Sequence, residues 1–143
     1  MDSMKSKLSA LWIFATLNYL YCDVVTLMDP DRLKGFIAGN VGGVAITPAF
    51  LLAAGALVEI PMAMVILSRF LNPRAARIAN IAAGALMTVV QAATLFARTP
   101  ALYYAFFSVI EIGTTLAIVW SAWRWSALAG RTPVRAGPAS ART

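Results

Sequence analysis

PAFLLAAGALVEIPMAMVILSR, residues 48–69, and PALYYAFFSVIEIGTTLAIVWSAWR, residues 100–124, decide how this chain folds. Each is an apolar run long enough, at about 1.5 Å per helical residue, to cross the ~30 Å hydrocarbon core of a bilayer. Each opens Pro-Ala, reaches a glutamate eleven residues later (Glu59, Glu111), and continues with isoleucine and a helix-weakening residue, Pro61 or Gly113. The offset is 52 residues throughout, and six of twenty-two paired positions are identical. A charged side chain at the centre of a membrane helix costs at least about 2.5 kcal/mol, so an acid placed there is a candidate functional residue by default.

The rest of the chain agrees with a membrane setting. Of its 143 residues 60% are apolar and only 13% charged, far from the balance of a soluble domain. The periodicity and breaks predict an all-α, integral membrane four-helix bundle over residues 1–125, with helices at about 8–28, 48–70, 77–97 and 100–125, then a disordered basic tail over 126–143. Asp29-Pro30 ends the first helix, because proline disfavours helix at the preceding residue. Residues 31–47 read as an apolar, glycine-rich lid on the outer face, with Gly35, Gly39, Gly42 and Gly43 supplying backbone freedom. The matching second and fourth helices suggest a parallel two-hairpin repeat that sets the two glutamates facing each other across the bundle.

Charge excludes some functions and orients the helices. The net charge is +6, but the basic residues lie between and after the apolar runs, as topology signals do, so nucleic acid is not expected as a partner. The amino-terminal segment, second connection and tail hold nine of them (Lys5, Lys7, Arg69, Arg74, Arg77, Arg124, Arg131, Arg135, Arg142) against three in the first and third connections (Arg32, Lys34, Arg98). Both termini are therefore expected in the cytoplasm, with the chain in a bacterial inner membrane. Trp12, Trp120, Trp123 and Trp125 then form the inner aromatic belt, and Tyr103 and Tyr104 the outer one. Without histidine and with one cysteine, Cys22, the chain offers no metal site, no Ser-His-Asp chemistry and no dithiol relay, and no cofactor is expected.

Depth along the helices groups the polar residues. Glu59 and Glu111 fall about 16 Å below the outer ends of their helices, and Asn18 about 15 Å above the inner start of the first. Asp23 and Gln91 form a layer about 8 Å below the outer surface. Helical spacing puts Gly55, Met62 and Ala63 on the Glu59 face, and Phe107, Ser108, Thr114 and Thr115 on the Glu111 face. Thr88 and Thr94 accompany Gln91 as a stripe suited to bonding between helices.

Three resemblances fit these residues. The stretch from Gly55 through Glu59-Ile60-Pro61 to Arg69 resembles the second helix of DoxX-like four-helix membrane proteins. More loosely, Thr26-Leu27-Met28-Asp29 followed by Glu59 looks like the two-acid arrangement of the emopamil-binding-protein (EXPERA) family, whose members bind sterols and lipophilic amines. Leu11-Trp12-Ile13-Phe14 through Asn18-Tyr19 to Leu27-Met28-Asp29-Pro30 is similar to small uncharacterised bacterial proteins known only as a domain of unknown function. Together these imply a bundle with an intramembrane acidic pocket; the histidine of sterol isomerases is absent here, so no reaction is implied.

The functional expectation is a pocket for a small lipophilic or cationic ligand, formed by Glu59, Glu111, Asp23, Asn18 and Gln91 and walled by Phe106 and Phe107. The alternatives are a small proton-coupled transporter acting as a homo-oligomer, and a non-catalytic subunit whose acids pair with a basic group on another membrane protein. Orientation is open to direct measurement. Alkaline phosphatase, which folds only outside the cytoplasm, is expected to be active when joined after Gly39 and inactive when joined after Trp125; the opposite pattern overturns the orientation.

Overall fold

The computed structural model describes residues 2–96 and 100–129. Helix α1 spans Asp2–Met28, α2 Pro30–Ile37, α3 Pro48–Phe70, α4 Pro73–Phe96 and α5 Leu102–Ala129. Between α2 and α3 a small antiparallel hairpin pairs β1 (Asn40–Val41) with β2 (Val44–Ala45), Asn40 opposite Ala45 and Val41 opposite Val44. Among the described residues, all the helices but α2 are long and apolar enough to cross a membrane, which gives four candidate spans, the make-up of a multi-pass membrane protein.

Local chemistry explains where the helices begin, including where the sequence reading placed the ends differently. Helix α4 starts at Pro73 rather than near residue 77, because Asn72 caps it: its Oδ1 accepts from the Ala75 amide at 2.9 Å, with proline in the first helical position. Thr47 does the same for α3, its Oγ1 accepting from the Phe50 amide at 3.1 Å ahead of Pro48. Helix α1 extends back to Asp2, and α5 continues past Trp125 to Ala129. The remainder of the expected tail, residues 130–143, lies outside the described residues, as do residues 97–99 of the third connection.

The glycine-rich segment is more ordered than a loop. Asp29, the residue that ends α1, is also the N-cap of α2, with its Oδ1 accepting from the Asp31 amide at 3.1 Å and Pro30 following. Gly39, Gly42 and Gly43 adopt φ of 72°, 62° and 91° at the turns around the hairpin, a region that side chains rarely allow. Helix α2 and the hairpin sit at the end of the molecule formed by the C-terminus of α1 and the N-terminus of α3, called here the hairpin end.

Among the long helices, α1 packs on α3 and α5, and α4 packs on α5 and α3. The apolar core lies in the half away from the hairpin, where Leu8, Trp12, Met64, Met87, Ile118 and Trp125 are buried. Trp12 and Trp125 thus belong to the core and not to an aromatic belt; Trp120 and Trp123 are exposed, as a belt requires. The core is pinned by Asn80, which is fully buried. Its Oδ1 accepts from Trp12 Nε1 at 2.7 Å and Ser68 Oγ at 3.1 Å, while its Nδ2 donates to the Ala76 carbonyl at 2.7 Å, so one side chain joins α1, α3 and α4. Lys5 closes the same end by donating to the Leu71 carbonyl at 2.7 Å, a cation at the C-terminus of α3.

Gly84 lets α4 and α5 approach closely. A Cβ there would stand 2.8 Å from Val119 Cγ2 and 3.3 Å from the Thr115 carbonyl oxygen. The opposite situation holds in the hairpin-end half of α3, where Leu51 through Ala56 are exposed on every side of the helix. That half stands clear of its neighbours; burial begins at Pro61 and continues with Met64 and Ser68.

Asn80→Leu removes the acceptor shared by Trp12 and Ser68 and leaves both donors buried. Each unsatisfied group costs about 1–3 kcal/mol, so a clear loss of thermal stability in detergent is expected, larger than for replacing exposed Asn72; equal effects would show that the buried node does not hold the core.

Candidate functional site

The packed stripes on the four helices determine which polar side chains meet. On α5 the buried positions are Ser108, Glu111, Thr114, Thr115, Ile118, Ser121, Ala122 and Trp125, one face at a helical spacing of three and four. On α1 they run Leu8, Trp12, Ala15 and Cys22, with half-buried Tyr19 between the last two. Glu111 is therefore drawn inward by the phase of α5, and it is only 1% exposed.

Its surroundings are polar yet do not satisfy it. Among the described residues, neither carboxyl oxygen of Glu111 has a hydrogen-bond partner, and the buried hydroxyl of Tyr19 has none either. Tyr19 and Glu111 lie at equal depth, nine residues from the hairpin-end termini of α1 and α5, or about 14 Å. Cys22, Asp23 and Tyr104 are also within electrostatic reach of the Glu111 carboxylate. An unpaired buried carboxyl is costly, and apart from Arg77 Nε near the start of α4 the unpartnered buried side-chain atoms among the described residues are those of Glu111 and Tyr19.

A cavity of about 1150 Å³ opens between this cluster and the hairpin end. Asp23 and Tyr104 line it, respectively one helical turn beyond Tyr19 and about two beyond Glu111 toward the hairpin end. Phe36 of α2, Phe50 of α3 and Tyr103 of α5 supply aromatic walls, and Gly42 and Gly43 bring the hairpin backbone over the opening. The segment expected to act as a lid thus forms part of the cavity lining. It is tied down by Tyr103, whose hydroxyl donates to Asp29 Oδ2 at 3.2 Å, so Asp29 ends α1, caps α2 and anchors α5 together.

A polar seam between α4 and α5 runs from the cavity to the core. Tyr104 Oη donates to Thr94 Oγ1 at 3.0 Å, Gln91 Nε2 donates to Ser108 Oγ at 2.9 Å, and the hydroxyls of Thr88 and Thr115 are 2.7 Å apart. The threonine and glutamine stripe read from the sequence therefore bonds between helices. Gln91 is buried in that seam and spends its amide on Ser108, one turn before Glu111.

The five predicted site residues do not come together. Asp23, Glu111 and Gln91 occupy adjoining levels of one region. Asn18 is half-buried, donates to the Phe14 carbonyl of its own helix at 2.9 Å and does not line the cavity. Glu59 is exposed and does not line the cavity, so the expectation that the two glutamates face each other is overturned. The reason is helix phase: Glu59 precedes buried Pro61 by two residues, about 200° around a helix of 3.6 residues per turn. Phe106 is exposed and Phe107 half-buried, and neither lines the cavity; the walls come instead from one turn nearer the end and from the lid.

Sequence reasoning missed Tyr19 and Asn80, while Ser108, read on the Glu111 face, does lie there, buried and bonded to Gln91. Tyr19 precedes Asp23 by one helical turn, and Asn80 extends the Thr88–Gln91 stripe by two turns, so helical spacing held a signal for both.

The cavity makes a labelling prediction. In a Cys22→Ser background, Asp23→Cys is expected to react rapidly with a water-soluble maleimide, while native Cys22, buried on the neighbouring face, reacts at least tenfold more slowly; similar rates would mean that Asp23 has no aqueous access.

Comparison with known proteins found one family. No curated protein and no solved structure matches the chain. A family model described as a family of unknown function (DUF6326) matches residues 1–130. Of the resemblances read from the sequence, this bears out the one to an uncharacterised domain and not those to DoxX-like or emopamil-binding proteins. With nearly its whole length matched, the chain belongs to the DUF6326 family.

Proposed function

We propose that this protein is a bacterial inner-membrane four-helix bundle whose intramembrane acidic pocket binds a small lipophilic or cationic ligand. The observation that carries the reading is the Glu111 carboxyl, 1% exposed and with both oxygens unpartnered, beneath a cavity lined by Asp23. A basic amine would pair with an ionised carboxylate at this position, with the rings of Tyr103, Tyr104 and Phe36 suited to its apolar part and to cation–π contact. A hydroxylated or quinone-like ligand would instead exchange hydrogen bonds with a protonated Glu111 and the Tyr19 hydroxyl.

The bundle reading is supported by the pairwise packing of α1 with α3 and of α4 with α5, the two hairpins of the 52-residue sequence repeat. The repeat concerns helix order and not the direction its acids face. Charge placement supports cytoplasmic termini, which would open the cavity outward. Below Glu111 the packed side chains of Trp12, Met64, Met87 and Ile118 favour a closed pocket over a path through the protein, and therefore binding over transport.

Thermal unfolding in detergent with and without dodecyldimethylamine tests the reading. Ligand at one hundred times its Kd stabilises by about 2.7 kcal/mol, a rise of several degrees for wild type. Glu111→Gln is expected to abolish the rise and Glu59→Gln to preserve it. A rise that survives Glu111→Gln sinks the assignment of Glu111 as the counter-ion.

A further inference from the structure

We propose that the ligand of the cavity at the hairpin end is a zwitterion, its anionic group held by Arg32 and its ammonium by Asp23. The inference rests on the pocket reading above and narrows its ligand class.

Helix α2 carries the cation to the cavity. Arg32, Gly35 and Phe36 are half-buried and line it, and their spacing of three and four puts them on one face of the helix. Leu33, Lys34 and Ile37 are exposed and do not line it. The arginine thus stands on the inward face of α2, while the neighbouring lysine faces out.

Four charged side chains line this cavity: Asp23, Asp29, Asp31 and Arg32. Two of the acids are engaged within the protein. Asp29 accepts from the Tyr103 hydroxyl at 3.2 Å and from the Asp31 amide at 3.1 Å. Asp31 has Lys34 Nζ at 3.8 Å, and this is the ion pair found among the described residues. One acid and one base remain, Asp23 on α1 and Arg32 on α2, lining the same cavity without pairing to each other.

That remainder selects the ligand. A simple amine would leave the Arg32 guanidinium unmatched, and a simple anion would meet three carboxylates. A molecule that carries both charges offsets both, and the planar fork of arginine suits a phosphate or carboxylate in two-point contact. Phosphoethanolamine has this chemistry, whether free or as the headgroup of an amphiphile. The cavity, at about 1150 Å³, exceeds the roughly 300–1,000 Å³ of sites for drug-sized ligands. Phe36, Phe50, Val41 and Val44 in its lining suit an attached alkyl chain.

Thermal unfolding in dodecyl maltoside, with rising concentrations of dodecylphosphoethanolamine, phosphoethanolamine or dodecyldimethylamine, tests the assignment. Dodecylphosphoethanolamine is expected to raise the midpoint of the wild type. Arg32→Gln and Asp23→Asn are each expected to increase the concentration needed at least tenfold, and Lys34→Gln to leave it unchanged. The rise with dodecyldimethylamine is expected to survive Arg32→Gln, since a cation does not use that residue. An equal rise with phosphoethanolamine assigns the site to the free headgroup, and a rise only with the chain-bearing form assigns it to an amphiphile; both support the zwitterion. The proposal is overturned if Arg32→Gln leaves the dodecylphosphoethanolamine response unchanged, if Lys34→Gln weakens it equally, or if Arg32→Gln abolishes the amine response as well. A wild-type response to the amine but to neither zwitterion removes this inference alone, whereas no response to any of the three removes the pocket reading with it.

Discussion

Hydrocarbon supplies no hydrogen bonds, and every polar side chain in these helices must find its partner within the protein or go without. Asn80 shows the rule obeyed. One carboxamide accepts from Trp12 and Ser68 and donates to its own helix, holding three helices in register at the core. The α4–α5 seam obeys it as well, with Thr88 to Thr115, Gln91 to Ser108 and Tyr104 to Thr94 each closing a pair. Because apolar packing alone gives little preference between core and lipid, these bonds and the close approach at Gly84 fix how the helices meet.

Against that background the unsatisfied groups gain meaning. Glu111 and the Tyr19 hydroxyl are buried without partners at the same level, while every rung of the seam around them is paired. An aromatic-walled cavity lined by Asp23 lies at the hairpin end, and a core of large apolar side chains lies in the opposite half. The upper boundary of the cavity depends on Asp29, which serves two helix ends and accepts from Tyr103, so the lid, the first helix and the fifth share one carboxylate. Glu59 takes a different place, exposed and outside the cavity lining.

Much of the architecture was legible in the sequence. Helix ends are set by local chemistry, and Asp29-Pro30, Thr47-Pro48 and Asn72-Pro73 each carry a cap followed by proline. Depth alone put Asp23 with Gln91 in one layer and Glu111 with Glu59 and Asn18 in the next, since rise per residue is a property of the helix. The hairpin within residues 31–47 was harder to see, because its strands are two residues each and its turns depend on glycines that serve equally well in a loop.

The sequence by itself determined four membrane-length apolar helices and two acids near mid-span. Only the tertiary structure decided which way those acids point. On α4 and α5 the buried polar stripe identifies the inward face, but on α3 the buried and exposed residues are almost all apolar, so rotation about its axis leaves little trace in composition. Rotation is set by what each helix packs against: Gly84 and the threonine seam turn Glu111 inward, and burial of Pro61, Met64 and Ser68 turns Glu59 out. Two glutamates in matching sequence contexts thus take opposite environments, because the neighbours of α3 and α5 differ.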